Sequence, residues 1–318
     1  MLEYAKYISR CVQIARFGEY YVAPNPMVGA VLVHGEDENS ARIIGEGWHK
    51  QFGGPHAEVN CFASVKAEDE GLLGESTLFV SLEPCSHYGK TPPCADLIIR
   101  KGVKRVVVGM QDPNPQVAGQ GIERLRAHGI EVVVGILEDE CRELNKRFLC
   151  LQEKHRPYVV LKWAQTADGF LDYSRECGKP LVISTPVSKR LVHRRRAENM
   201  AIMVGTNTVI LDNPRLLTTH WAGRNPIRIV LDRHNRIPAD SRVFSSEAET
   251  IVYREQTDWE YILSDLAKRG IHSVMVEGGA QLLEHILASG IYDEVDVEVG
   301  AMKIGDGVRA PKVPFAYR

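Results

Sequence analysis

Pro55-His56-Ala57-Glu58 and, further along, Glu83-Pro84-Cys85-Ser86-His87-Tyr88-Gly89-Lys90-Thr91-Pro92-Pro93-Cys94 decide how the first half of this 318-residue chain is read. One histidine and two cysteines supply three metal-ligand side chains, and Glu58 adds a carboxylate that need not bind the metal. A His/Cys/Cys set leaves the fourth tetrahedral position of a zinc ion open to water, as catalysis requires; structural zinc sites fill all four positions with protein ligands. The metal lowers the pKa of that water toward neutrality, and a nearby carboxylate can carry its proton onward. His56, Cys85 and Cys94 are therefore the expected ligands and Glu58 the expected catalytic acid and base. Two sulfurs and a nitrogen favour zinc over the harder divalent ions.

An H-x-E segment followed by a P-C…C pair is the signature of zinc-dependent base deaminases. One spacing departs from it. The second pair here is Cys-x8-Cys rather than Cys-x2-Cys, so residues 86–93 must form a loop beside the metal. His87 lies in that loop and reads as a loop or substrate-side residue rather than a fourth ligand.

Composition narrows the class. With 44% hydrophobic and 25% charged residues the chain is that of a soluble globular protein, and its length suggests two domains. The N-terminus starts an amphipathic pattern instead of a basic segment and apolar core, which argues against a secretory peptide. No apolar run is long enough to span a bilayer. Seven cysteines, two of them assigned to zinc, leave Cys11, Cys61, Cys141, Cys150 and Cys177 without paired spacing, as expected of thiols in a reducing cytoplasm. Residues 1–150 carry 16 basic and 20 acidic side chains, leaving 23 and 21 of the chain's 39 and 41 for the remainder. Neither half has the broad basic surface a nucleic-acid substrate would call for. The run His193-Arg194-Arg195-Arg196 falls in a helical pattern and reads first as a solvated face.

Leu2, Ala5, Ile8, Val12 and Ala15 recur at helical spacing and stop before Gly18. Strands are expected at 29–33, 77–82, 103–109 and 130–134, with helices from about His56, over 95–101, 120–127 and 138–149. This alternation predicts an α/β sandwich over residues 1–150. The polar segment Gln152-Glu153-Lys154-His155-Arg156-Pro157 separates it from a second α/β unit over 156–318, with strands at 158–163, 201–204, 227–231 and 273–276 and helices at 186–198 and 281–288. Gly278-Gly279 sits between a strand and a helix, where backbone N–H groups can approach a phosphate.

At this point the residues resemble a family. Pro24-Asn25-Pro26-Met27-Val28-Gly29, the two zinc segments and Gln111-Asp112-Pro113-Asn114-Pro115 are similar to the bifunctional riboflavin-biosynthesis deaminase–reductases, in which Cys-x8-Cys is the rule. Leu161-Lys162-Trp163-Ala164, Ala167-Asp168-Gly169, Val204-Gly205-Thr206, Leu211-Asp212-Asn213-Pro214, Arg228 to Asp232 and Val276-Glu277-Gly278-Gly279 continue the likeness. The resemblance implies a cytidine-deaminase-like α/β/α sandwich followed by a dihydrofolate-reductase-like α/β domain. It implies zinc-dependent hydrolysis of the 2-amino group of 2,5-diamino-6-ribosylamino-4(3H)-pyrimidinone 5′-phosphate, then reduction of the ribosyl group to ribityl by NADPH. It also implies that Asn25, His49 and Lys90 contact the pyrimidine or its phosphate, that Ala164, Val182, Thr208, Asp212, Arg233 and Gly279 bind NADPH, and that Pro180, Arg196, Leu216 and Glu277 bind the second substrate. A small phosphorylated pyrimidine as partner, homo-oligomers and a cytoplasmic location come with it.

Two other readings compete. The zinc motif alone permits deamination of another base, such as adenosine in transfer RNA. The C-terminal half can also be read as a non-catalytic binding or oligomerisation module. Valine stands at 182 where several relatives carry tryptophan, proline at 180 where serine is frequent, and Arg318 follows Gly305-Asp306-Gly307-Val308 closely. An early end of that kind is expected to leave a sheet edge in need of cover.

Overall fold

The computed structural model describes residues 2–88, 92–114, 118–174, 180–255 and 258–313. It divides into two compact units, Met1–Lys154 and His155–Arg318. The first contains α1 (Tyr4–Ala15), β1 (Gly29–His34), β2 (Arg42–Trp48), α2 (Ala57–Ala63), β3 (Ser76–Leu82), α3 (Cys94–Lys101), β4 (Arg105–Met110), α4 (Gln120–Ala127), β5 (Glu131–Val134), α5 (Glu138–Leu144) and α6 (Lys146–Lys154). The sheet order is β2-β1-β3-β4-β5, with β3, β4 and β5 parallel and β1 antiparallel to both its neighbours.

Successive strand residues face opposite sides of a sheet, and here both sides are covered. Ala30, Leu32, Leu78, Val80, Val106 and Val108 pack with Ala57, Cys61 and Phe62 of α2, Ile98 of α3 and Leu125 of α4. The intervening Val31, Val33, Phe79 and Val107 pack instead with Tyr7, Ile8, Cys11 and Ile14 of α1, Cys141 of α5 and Leu149 of α6. The result is a three-layer α/β/α sandwich. Burial on both faces explains why β3 has no polar–apolar alternation.

Two features differ from the periodicity. Strand β2 contains Gly45 and Gly47, which hide it from a strand pattern. The glycines let α2 approach: a Cβ on Gly47 would lie 2.1 Å from the Cys61 amide nitrogen. The expected helix over 138–149 is two helices. Asn145 leaves helical geometry, with φ −110° and ψ 19°. Its side chain pins the Met27 backbone from both sides, accepting from the N–H at 2.8 Å and donating to the C=O at 2.9 Å.

The second unit contains β6 (Tyr158–Gln165), β7 (Phe170–Asp172), α7 (Pro186–Glu198), β8 (Ala201–Gly205), α8 (Thr206–Asp212), β9 (Ile227–Leu231), β10 (Thr250–Tyr253), α9 (Trp259–Lys268), β11 (Ser273–Val276), α10 (Ala280–Ser289), β12 (Glu294–Val299) and β13 (Val308–Arg309). Six strands form a parallel sheet in the order β10-β9-β8-β11-β6-β12, and β7 pairs with β13. Val159, Leu161, Ala201, Met203 and Val274 face α9 and α10, while Val160, Ile202, Val204 and Met275 face the other way with Val209 of α8. β12 forms one edge and carries Glu294, Asp296 and Glu298 at alternate positions. Arg195 of α7 meets Glu294 at 3.3 Å and Asp296 at 3.0 Å. Charged edges of this kind discourage strand addition. The basic run is therefore not simply a solvated face: His193 is buried, and Arg195 and Arg196 are both ion-paired.

Arg228 on β9 is fully buried. Its guanidinium donates to the Ser245 and Ala248 carbonyls and to Ser245 Oγ, and burial lowers its pKa. Arg228→Met strands these acceptors in the core and is expected to cost about 2–4 kcal/mol. Denaturant unfolding would show it, and a loss below about 1 kcal/mol would mean that the carbonyls find other donors.

Candidate functional site

The zinc-type residues come from three elements. His56 caps α2 in extended geometry, with φ −70° and ψ 167°, so its ring projects from the helix start instead of lying along it. Cys85 follows β3, and Cys94 is the first residue of α3. His56 Nδ1 lies 3.5 Å from Cys85 Sγ and 3.4 Å from Cys94 Sγ. Zinc–sulfur bonds of about 2.3 Å and zinc–nitrogen bonds of about 2.0–2.1 Å give a tetrahedral N–S edge of about 3.5 Å. The donors thus stand at the separation one zinc ion requires, and the three ligand atoms all lie within 4.8 Å of one another. The Cys94 amide donates to Cys85 Sγ at 3.2 Å. The Cys94 thiol, the His56 ring and that amide together pull the Cys85 thiol well below its usual range, favouring the thiolate a metal binds.

Glu58 lies within the first turn of α2 and is 3% exposed. Burial, with a smaller push from Cys85, raises its carboxyl to about 6. It lines a cavity of about 270 Å³ shared with His56, Cys85, Asn25, His49, Asp112 and Asn114. A carbonyl can only accept, so the 2.9 Å contact of His49 Nδ1 with the Pro55 oxygen puts the ring proton on Nδ1. His49 Nε2 then accepts from Asn25 Nδ2 at 3.1 Å. Burial lowers the pKa of His49, so it is a neutral, oriented ring beside the metal ligands. Lys90, like Cys177, lies outside the described residues. Cys11, Cys61 and Cys141 are buried thiols whose pKa values burial pushes upward.

In the second unit Ala164, Thr208, Glu277 and Gly279 lie where parallel strands end, the usual ligand crevice of such sheets. Ala164 is next to last in β6, Glu277 follows β11, and Thr208 lies in α8 after β8. β11 pairs with both β6 and β8, which brings these ends together. A Cβ on Gly279 would lie 3.9 Å from Thr208 Oγ1. Arg196 on α7 donates to Glu277 Oε2 at 2.6 Å and to the Leu217 carbonyl at 3.1 Å. Burial works to raise the Glu277 carboxyl, but Arg196, with help from Lys162 and His193, holds it below the usual range. The pairing leaves Arg196 Nε and Glu277 Oε1 buried without a hydrogen-bond partner. Leu216 is buried with φ 56°, a left-handed conformation uncommon for leucine and of the kind that clusters at ligand sites. Asp212 ends α8, and Arg233 is exposed just beyond β9. Pro180 and Val182 lie on an exposed segment before α7, where the Leu181 amide donates to Asp172. Val182 is 74% exposed.

Three residues were quoted in the sequence reading but given no role there. Asp112 and Asn114 line the first cavity, and Lys162 is a buried cation on β6, 3.9 Å from Glu298. A lysine between Leu161 and Trp163 in an apolar strand was the available signal for the last.

These sites define a zinc-binding deaminase joined to a reductase. Residues 1–110 match the cytidine and deoxycytidylate deaminase zinc-binding region, and residues 157–313 match the RibD C-terminal domain. The chain is 38% identical to the riboflavin biosynthesis protein RibD of Aquifex aeolicus, over 95% of this chain and 88% of that protein. It is 35% identical to RibD of Escherichia coli K12, over 95% and 89% respectively. A crystal structure of a diaminohydroxyphosphoribosylaminopyrimidine deaminase/5-amino-6-(5-phosphoribosylamino)uracil reductase from Thermotoga maritima superposes with a TM-score of 0.87 at 40% identity, covering 96% of this chain and 89% of that one. RibD of Acinetobacter baumannii gives 0.88 at 34% identity, covering 99% and 91%. The chain belongs to the RibD family of riboflavin biosynthesis proteins, whose members unite a deaminase and a reductase. Among the described residues no helix is long and apolar enough to cross a membrane.

Proposed function

We propose that the first unit deaminates 2,5-diamino-6-ribosylamino-4(3H)-pyrimidinone 5′-phosphate and that the second reduces the ribosyl side chain of the product with NADPH. The observation that carries the first step is the placing of Glu58 in one cavity with His56 and Cys85, with Cys94 closing the donor set. His56, Cys85 and Cys94 would hold a zinc ion, which when bound would supply a polarised water at neutral pH. Glu58 is the group that would accept a proton in the cavity and return it to the departing amino group. Asn25, oriented by neutral His49, offers its remaining amide groups to the ring, and Asp112 and Asn114 add further polar groups to the same wall. Lys90, which falls between the zinc cysteines in sequence, is assigned to the phosphate as a cation that would pair with it.

For the second step, bound NADPH supplies the hydride. Gly279 opens α10 without a side chain to block approach, and Ala164, Thr208, Asp212, Arg233 and Val182 are assigned to the cofactor. Arg196 and Glu277, paired with each other at 2.6 Å beside the strand ends, are assigned to the phosphorylated sugar. Leu216 and Pro180 complete that surface.

The test is selective loss. Chelation of zinc should stop ammonia release from the diaminopyrimidine, while NADPH oxidation with the deaminated compound continues. NADPH consumption that also stopped would refute independent sites. A pH profile gives a second check. Glu58 must be ionised to take a proton, so kcat/KM for deamination should fall as pH drops through an acid limb no higher than about 6. A cation held by the thiolates can only lower that value. An acid limb above pH 7 would remove Glu58 from the role.

A further inference from the structure

Glu83 stands one residue beyond β3 and two before the ligand Cys85, with the stiff Pro84 between. Its side chain is 5% exposed. It reaches back across the chain to four main-chain N–H groups. Oε2 accepts from Asp112 at 3.1 Å and Gly119 at 3.0 Å; Oε1 accepts from Gly121 at 2.9 Å and Ile122 at 3.3 Å. Three of those amides belong to the start of α4, where the unpaired N–H groups and helix dipole favour an anion. The fourth belongs to Asp112, whose carboxylate in turn accepts from the Asn114 amide at 2.9 Å. Asp112 and Asn114 line the deaminase cavity.

A second observation shows how closely the helix start is drawn in. A Cβ on Gly121 would fall 2.0 Å from the Pro84 carbonyl oxygen and 3.2 Å from Glu83 Oε1. Only glycine fits there, so the approach of α4 to the Glu83-Pro84-Cys85 segment is built from both sides.

We propose that Glu83 is a positioning residue of the deaminase: through these four amides it sets the cavity wall that carries Asp112 and Asn114. It governs how the pyrimidine is held, not how the bond is broken. Among the described residues the metal-ligand cluster is His56, Cys85 and Cys94, and Glu83 is not part of it. The inference rests on the deaminase reading given above.

The experiment compares the zinc-loaded full chain with its Glu83→Gln and Gly121→Ala variants. Glutamine keeps the shape but has one acceptor oxygen, so two of the four N–H groups face an NH₂ instead. Three quantities are read: zinc per chain, KM and kcat for ammonia release, and hydrogen exchange at the amides of residues 112, 119, 121 and 122. We expect zinc content unchanged, KM raised by about 10–100-fold with kcat within about threefold, and exchange at the amides at least about tenfold faster. Gly121→Ala should raise KM in the same way with the carboxylate intact. An unchanged KM in both variants overturns the proposal, as does a fall in kcat that tracks loss of zinc. Should Glu83→Gln fail to fold, Gly121→Ala decides alone. If the parent enzyme releases no ammonia, the substrate assignment fails, and unchanged exchange at the amides would then count against the wall itself.

Discussion

The Glu58→Gln enzyme is expected to release ammonia about 10²–10⁴-fold more slowly than the parent while keeping its zinc. The side chain is nearly the same size, so packing at the start of α2 should survive. What is lost is the capacity to accept a proton and hand it on. Zinc should stay because His56, Cys85 and Cys94 are the donor set among the described residues, and Glu58 is not part of it. Stability should not suffer either. Burial raises the Glu58 carboxyl above its ordinary value, and such a group costs stability once pH rises above its unfolded pKa of about 4.3. Removing it therefore leaves the protein, compared after zinc chelation, at least as stable at neutral pH. Steady-state ammonia release, zinc content and thermal unfolding measured on one preparation check all three statements. Activity within tenfold of the parent would show that another group carries the proton.

Arg196→Met should have the largest effect in the second unit. Both partners of the Arg196–Glu277 pair are mostly buried, with side-chain exposures of 15% and 16%. Removing the cation leaves a carboxylate in the interior, at an expected cost of about 3–5 kcal/mol. The pH dependence has a definite sign. In the parent, the Glu277 carboxyl is held below its ordinary value, so the pair's stabilisation is present above the unfolded pKa of about 4.3 and is lost as pH falls through the lower folded value. In the variant, burial is left with less opposition, and the carboxyl is penalised as pH rises. The difference between the two proteins should therefore be wide at pH 7.5 and narrow near pH 4.5. NADPH oxidation should be lost with it, while ammonia release from the first unit persists. Denaturant titrations at both pH values would check the first statement, and a gap that widened in acid would contradict it.

The zinc constellation was legible in the sequence because its parts are local and chemically specific. His-Ala-Glu places a ring and a carboxylate at one helix start, and Glu-Pro-Cys follows a strand that reads as apolar over Thr77–Leu82. Strands β9 and β11 were legible to the residue for a similar reason: they are short β-rich runs between turns. Strand β2 was not, since Gly45 and Gly47 lower strand propensity, and only the approach of α2 explains them. The break at Asn145 has no local signal either. Its cause is the backbone of Met27, 118 residues earlier in the chain.

The reductase residues show the same limit. A glycine pair after a strand can be read from sequence, but the meeting of Thr208 with Gly279 depends on β8 and β11 lying side by side in the sheet. Arg196 read first as one arginine in a basic run. Glu277, 81 residues away, turns it into half of a buried pair.

Sequence by itself thus picked out the His/Cys/Cys donor set, the carboxylate proposed to carry the proton and the α/β alternation of both halves, because these depend on residue type and short spacing. Tertiary structure decided which distant polar groups share one wall. Asp112 and Asn114 reach the zinc cavity on a segment held by Glu83, and Lys162 becomes a buried cation next to Glu298. Hydrogen bonds and desolvation act through space, and chain order does not encode which residues folding brings within 3 Å.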